Sequence, residues 1–224
     1  MRPEMISEFD EVGTVNGLAY TSAGGDLLKV EAAVLEGTGK LELTGSLGDV
    51  MKESAHIALS FVRSIASDYG IPSDFYKTKD IHIHFPEGAV PKDGPSAGVT
   101  VVTAMVSALT GRAVRRDIAM TGEVSLRGNV LPIGGLKEKT MAAYTAGVST
   151  VFIPEDNVKD LEDIDPEARK NLKFVPVRKV SDILIAALTE PEIIPTSKAK
   201  KTEEEYPEII PNAKQISRPA ASVR

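Results

Sequence analysis

The sequence predicts an α+β fold in one compact domain, and three observations carry that expectation. Strand patterns come first and then alternate with helical ones. A hydrophobic share of 42% in 224 residues is enough to build a buried core. The stretch 95–110 has no charged residue, which suits a helix enclosed on every face.

Taken in order, residues 12–20 and 27–35 read as strands around the turn-rich 21–26, and 41–44 as a short third, giving an antiparallel opening sheet. Residues 48–69 read as a helix ended by Gly70. Val50, Ile57, Ala58, Phe61, Val62 and Ile65 share one arc there, opposite Lys52, His56 and Arg63. Residues 80–85 alternate as a strand with Ile81, Ile83 and Phe85 inward. A loop over 86–94 leads into the uncharged helix. Beyond it, 118–121 and 123–130 read as strands, 135–146 as a helix, 150–153 as a strand, 158–161 as a helical turn, 174–177 as a strand and 181–188 as a closing helix.

Composition excludes several function classes. Acidic side chains outnumber basic ones, 32 to 26, so no uniform positive field is available for a nucleic-acid backbone. The absence of Cys removes disulfides, thiolate nucleophiles and Cys-ligated zinc, and fits a reducing compartment. The longest charge-free run falls short of a membrane span, and residues 1–10 lack the pattern of a signal peptide, so a cytoplasmic protein is expected. The last stretch, 191–224, is rich in Pro, Lys and Glu and reads as a disordered tail. It holds the pentapeptide Pro-Glu-Ile-Ile-Pro twice, at 191–195 and 207–211.

Two segments carry chemistry. In Pro91-Lys92-Asp93-Gly94-Pro95-Ser96-Ala97-Gly98, Pro95 suits the first helical position, which places Ser96 in the first turn beside unpaired N–H groups at the positive helix end. Such groups stabilise an alkoxide or a tetrahedral oxyanion. Gly94 and Gly98 leave room for a substrate backbone. The same residues also describe an ordinary helix start in which Ser96 supports the cap. The string matches G-x-S-x-G, but an α/β-hydrolase order needs a His after the serine, whereas His56, His82 and His84 all precede Ser96. His82 and His84 share the polar face of their strand with no third metal ligand at a recognisable spacing.

The second segment is Gly134-Gly135-Leu136-Lys137-Glu138-Lys139-Thr140. On its helix Leu136, Lys139, Ala143 and Ala146 fall on one apolar stripe, while Lys137 and Glu138 point elsewhere. In water only about one Lys in a thousand is neutral near pH 7.4, and burial that lowers the pKa by roughly 3 units removes that penalty. A neutral amine there can take the proton of Ser96. A lysine that runs its stem along the stripe and reaches solvent fits the same spacing. A phosphate loop does not, because the spacing departs from G-x-x-x-x-G-K-[ST]. A literal S-x-x-K at 197–200 lies in the tail.

Together PKDGPSAG and LPIGGLKEK, with GSLGDVMKESAHIAL, MTGEVSLRGNV and VFIPEDNVKDLEDI, resemble the proteolytic domain of the Lon family of ATP-dependent proteases over about residues 12–188. The resemblance implies a ribosomal-protein-S5-domain-2-like α+β domain that assembles as a hexameric ring, with Ser96 and Lys139 as a Ser-Lys catalytic dyad. It further implies that Thr121 hydrogen-bonds the base, that Asp93, Gly94, Pro95, Ala97 and Glu123 surround the site, and that the 93–98 loop switches between competent and closed forms. Expected substrates are unfolded or damaged polypeptides. No cofactor is expected in this domain, and ATP and Mg belong to an ATPase module that family members carry before it. With no Walker A pattern, the chain reads as a fragment, residues 1–11 as linker and 12–190 as the proteolytic domain. A catalytically silent Lon-like scaffold is the alternative, and it has no need of Ser96 and Lys139 together.

Overall fold

The structure, a computed structural model, describes residues 5–21, 24–86 and 91–190. The chain divides into two compact units, Met1–Glu192 and Ile193–Arg224. All described residues belong to the first. The readings made for the tail lie outside the described residues.

The elements are β1 (Glu11–Val12), β2 (Thr14–Thr21), β3 (Gly24–Glu36), β4 (Leu41–Thr44), α1 (Asp49–Ile65), α2 (Phe75–Thr78), β5 (Lys79–His84), α3 (Gly98–Thr110), β6 (Ala113–Val114), β7 (Ile118–Met120), β8 (Glu123–Val124), β9 (Val130–Leu131), α4 (Leu136–Ala146), β10 (Thr150–Pro154), α5 (Pro166–Asn171), β11 (Lys173–Val177) and α6 (Val180–Ala187). Seven strands form one mixed sheet in the order β11-β10-β7-β2-β3-β5-β4. The β2-β3-β5 part is antiparallel, and β7, β10 and β11 are parallel. Strands first and then strands alternating with helices does describe the chain, and both halves join in one sheet.

Side chains alternate across that sheet and feed two separate cores. On one face Val15, Leu28, Val30, Ile81, Ile83 and Phe152 pack with α1, α3 and α6. On the other, Leu18, Leu27, Ala119, Val151 and Ile153 pack with α4 and α5. Residues 5–10, expected to be linker, lie against the domain: Ile6 joins the second core and its N–H bonds the Ala146 carbonyl at 3.3 Å.

Several expectations change. Residues 41–44 do form a strand, yet β4 pairs parallel to β5 rather than extending an antiparallel meander, because β5 already occupies the edge of β3. The expected strand 123–130 is a small hairpin, β8 against β9. Ser125 turns it, its Oγ accepting from Arg127 and Asn129 N–H while its carbonyl accepts from Gly128 N–H at 2.9 Å. In α1 the buried arc is Met51, Ser54, Ala55, Ala58, Phe61 and Val62, and Val50 is 45% exposed. Small side chains at Ser54, Ala55 and Ala58 let the first core close over the helix, which hydrophobicity alone does not reveal. The uncharged stretch behaves as expected, with Gly98 through Ser107 of α3 all buried.

The feature that makes room for a site is a break in the sheet. Strand β2 meets β7 at a single rung, Gly17 opposite Met120, and β7 then ends. Beyond that rung β2 keeps only its β3 neighbour.

Candidate active site

Ser96 sits at the head of α3, against the first core. Lys139 projects from α4, whose Leu136, Ala143 and Ala146 belong to the second. The two side chains meet through the gap beside the Gly17 rung. Lys139 Nζ lies 3.0 Å from Ser96 Oγ and 3.2 Å from Thr121 Oγ1. Lys139 is 3% exposed, so it does not reach solvent along its stem. Burial pushes its pKa down from 10.5 to about 8. Two residues earlier, more than half a turn around the helix, Lys137 is exposed.

The turn that carries Ser96 is a 3-10 turn, Pro95–Ala97, with α3 beginning only at Gly98. This shortens the expected row of first-turn donors. Gly98 N–H bonds the Pro95 carbonyl, and Val99 N–H bonds the Gly122 carbonyl at 3.1 Å. Gly122 N–H in turn bonds the Ser96 carbonyl at 2.8 Å. These last two bonds tie the serine turn to the segment that follows β7, which also supplies Thr121. Gly94 precedes the turn at φ 130° and ψ 156°, a region open to glycine and not to side chains.

Asp93 does not touch the amine. Its Oδ1 accepts from Met51 N–H at 3.0 Å, the third residue of α1, and from Gly94 N–H at 3.0 Å. Helix α1 starts at Gly48, which has no side chain to cap it, and Asp93 supplies the cap from across the fold. The approach is so close that a Cβ on Gly48 would lie 2.3 Å from the Asp93 carboxyl carbon. Further stitches bind the loop to the same region: Gly48 N–H to the Lys92 carbonyl at 2.7 Å, Lys92 N–H to the Ser46 carbonyl at 3.0 Å, and Ser54 Oγ to the Pro95 carbonyl at 3.4 Å.

A cavity of about 640 Å³ opens on Ser96 and Lys139. Tyr20, Met51, Asp93, Pro95 and Ile133 are among its lining residues. Of the residues singled out in the sequence, Glu123 does not join it. Glu123 stands opposite Leu131 in the hairpin, and no hydrogen bond links it to Ser96 or Lys139 among the described residues. Ala97 is buried beneath the turn. Gly98 does not open a path for substrate either: a Cβ there would meet Val124 Cγ1 at 2.8 Å and Val124 N at 2.9 Å, so its bareness admits the hairpin. His56 is exposed, and His82 Nε2 and His84 Nδ1 both bond Thr44 Oγ1, at 2.8 and 2.7 Å. Among the described residues no cluster of three His, Asp or Glu side chains could hold a metal ion, and no helix is long and apolar enough to cross a membrane.

Sequence reasoning missed the dependence of the serine loop on α1. The available signal was Gly48 itself, which has no side chain of its own to cap the first turn of α1.

Comparison with known proteins identifies the family. The family described as Lon protease (S16) C-terminal proteolytic domain matches residues 1–190. The chain is 59% identical over 181 residues to the Lon protease of Brevibacillus choshinensis, covering 81% of this chain and 23% of that protein. It is 60% identical over 179 residues to the Lon protease of Finegoldia magna, and 58% identical over 179 residues to Lon protease 1 of Bacillus subtilis, in each case covering 80% of this chain and 23% of the relative. The chain thus spans about a quarter of the length of these relatives. On the strength of a match reaching from residue 1 to residue 190, the chain belongs to the Lon protease C-terminal proteolytic domain family.

Proposed function

We propose that this domain is the peptide-bond-cleaving part of an ATP-dependent serine endopeptidase, with Ser96 as nucleophile and Lys139 as its base. The observation that carries the reading is the 3.0 Å contact between a hydroxyl and a buried amine whose pKa burial has brought to about 8. The neutral amine keeps one N–H on Thr121 Oγ1 and offers its lone pair to Ser96 Oγ–H. Ser96 Oγ attacks the scissile carbonyl carbon, and its proton passes to Lys139 Nζ. The ammonium then protonates the departing amine, leaving an acyl group on Ser96 that water removes with Lys139 again as base. The Ser96 N–H faces the developing oxyanion as the donor left over from the turn. Thr121 orients the amine, and Asp93 holds the loop that presents the serine.

The finer reading follows the family. The fold is of the ribosomal-protein-S5-domain-2 type, the domain works in a hexameric cytoplasmic ring, and unfolded or damaged polypeptides are delivered to it during protein quality control and stress by an ATPase module that uses ATP and Mg. The proteolytic domain itself supplies nucleophile and base without a cofactor. The loop over 93–98 alternates between this docked form and a closed one. A silent scaffold has no reason to bury a cation against a hydroxyl, given the cost of placing an ammonium in an interior.

The test is to stop the reaction during turnover of an unfolded polypeptide and map covalent acyl groups by mass spectrometry. An acyl group on Ser96 is expected. Turnover with no adduct there, or with one on another residue, sinks the assignment.

A further inference from the structure

The segment 132–135 connects β9 to α4 and lines the cavity that holds Ser96 and Lys139. It belongs to no sheet, yet one of its residues is fully paired. Ile133 N–H donates to Asn157 Oδ1 at 2.9 Å, and Asn157 Nδ2 donates to the Ile133 carbonyl at 2.9 Å. A side chain thus reproduces both rungs that a neighbouring strand would give. Asn157 lies in the 3-10 segment Glu155–Glu162 after β10 and is 3% exposed. Its second N–H goes to Asp160 Oδ2 at 2.6 Å, which fixes which way the amide faces.

The consequence lies with the neighbours. With Ile133 held on Asn157, the Pro132 carbonyl and the Gly134 N–H and carbonyl have no hydrogen-bond partner among the described residues. Pro132 and Gly134 are exposed and Ile133 is half-buried. A Cβ on Gly134 would meet nothing within 4 Å.

We infer that Asn157 is a positioning residue of the peptidase. It fixes the wall 132–134 so that the free backbone groups of Pro132 and Gly134 pair with the main chain of a polypeptide substrate, beside Ser96. This rests on the endopeptidase reading above. The role differs from that of a packing residue, because it concerns a substrate with a peptide backbone and not the reactivity of the serine.

The experiment compares wild type with Asn157→Ala in two assays on the same folded protein. One measures kcat/KM for an unfolded polypeptide, and the other the rate at which a small fluorophosphonate labels Ser96, a reaction that needs no strand pairing. Cleavage is expected to fall about a hundredfold, the scale of a misplaced reactant, with labelling within about threefold of wild type. Hydrogen exchange on wild type adds a readout that needs no variant: the Ile133 amide is protected and the Gly134 amide is not. Should Asn157→Ala fail to fold, Asn157→Asp, the same size and without the Nδ2 donors, carries the same comparison. Cleavage within about threefold of wild type, labelling lost in step with cleavage, or a freely exchanging Ile133 amide each overturns the inference. If wild type itself neither cleaves nor labels, the endopeptidase reading fails, and that outcome is visible without any variant.

Discussion

The helix behind Ser96 and the helix that carries Lys139 solve opposite problems. Helix α3 has no charge and is buried from Gly98 through Ser107, so packing alone holds the serine turn in place. Helix α4 is exposed along Lys137, Met141, Tyr144 and Thr145 and buries an amine on its inner side. The first provides rigidity, and the second tolerates an unfavourable group. The contrast teaches that the serine is positioned by ordinary core formation, whereas the lysine amine has its pKa lowered by a placement that costs stability.

The sharpest way to break this comparison is to remove either partner. Ser96→Ala and Lys139→Ala are each expected to lower cleavage of an unfolded polypeptide by about a thousandfold or more, with cooperative thermal unfolding retained. Activity within tenfold of wild type in either variant contradicts the pair.

A second experiment separates the two costs. The drop in the Lys139 pKa from 10.5 to about 8 corresponds to roughly 3 kcal/mol at about 1.36 kcal/mol per pH unit. Because the folded-state value is the lower one, the unfolded chain binds more protons between about pH 8 and 10.5, and stability rises with pH through that window. Lys139→Met is therefore expected to be more stable than wild type near pH 7, by up to about 3 kcal/mol, with the advantage shrinking as pH approaches 10.5. Denaturant unfolding at pH 7 and pH 10 checks this. A less stable Met variant, or a gap independent of pH, means that the amine sits there without strain.

On the side of α3 the matching change is Gly98→Ala, where the added methyl meets the backbone of Val124. Overpacking there is expected to cost about 1–3 kcal/mol, read as a lower melting temperature. An unchanged melting temperature means that the hairpin yields easily. The smallest effect belongs to Lys137→Ala on the exposed face of α4, which should leave kcat/KM within about threefold of wild type. A loss comparable to that of Lys139→Ala means that the wrong lysine has been assigned.

The pairing of Lys139 with Ser96 came from the family resemblance, whereas it was legible from helical spacing that Lys139 and not Lys137 lies on the stripe with Leu136, Ala143 and Ala146, all of them buried. The long strands and helices were legible for the same reason. What escaped detection depends on contacts distant in sequence. The arc of α1 is set by Ser54, Ala55 and Ala58, small residues whose value lies in what they admit. Asp93 reads as a site residue from its neighbours, and only the fold shows it capping a helix some forty residues earlier. Asn157 looks like any polar residue in a turn until its amide is seen against Ile133. Helix α5 had a local signal that went unread: Asp165 caps it, with Oδ1 accepting from Glu167 N–H at 2.8 Å, and Pro166 follows at the first position.

Because the serine is anchored in one hydrophobic layer and the lysine in the other, the few ångströms between them double as a gauge of how those layers are stacked. Any force that slides one across the central sheet is registered first at that contact. Remote mutations in either layer can therefore part the serine from the lysine while both residues remain in place.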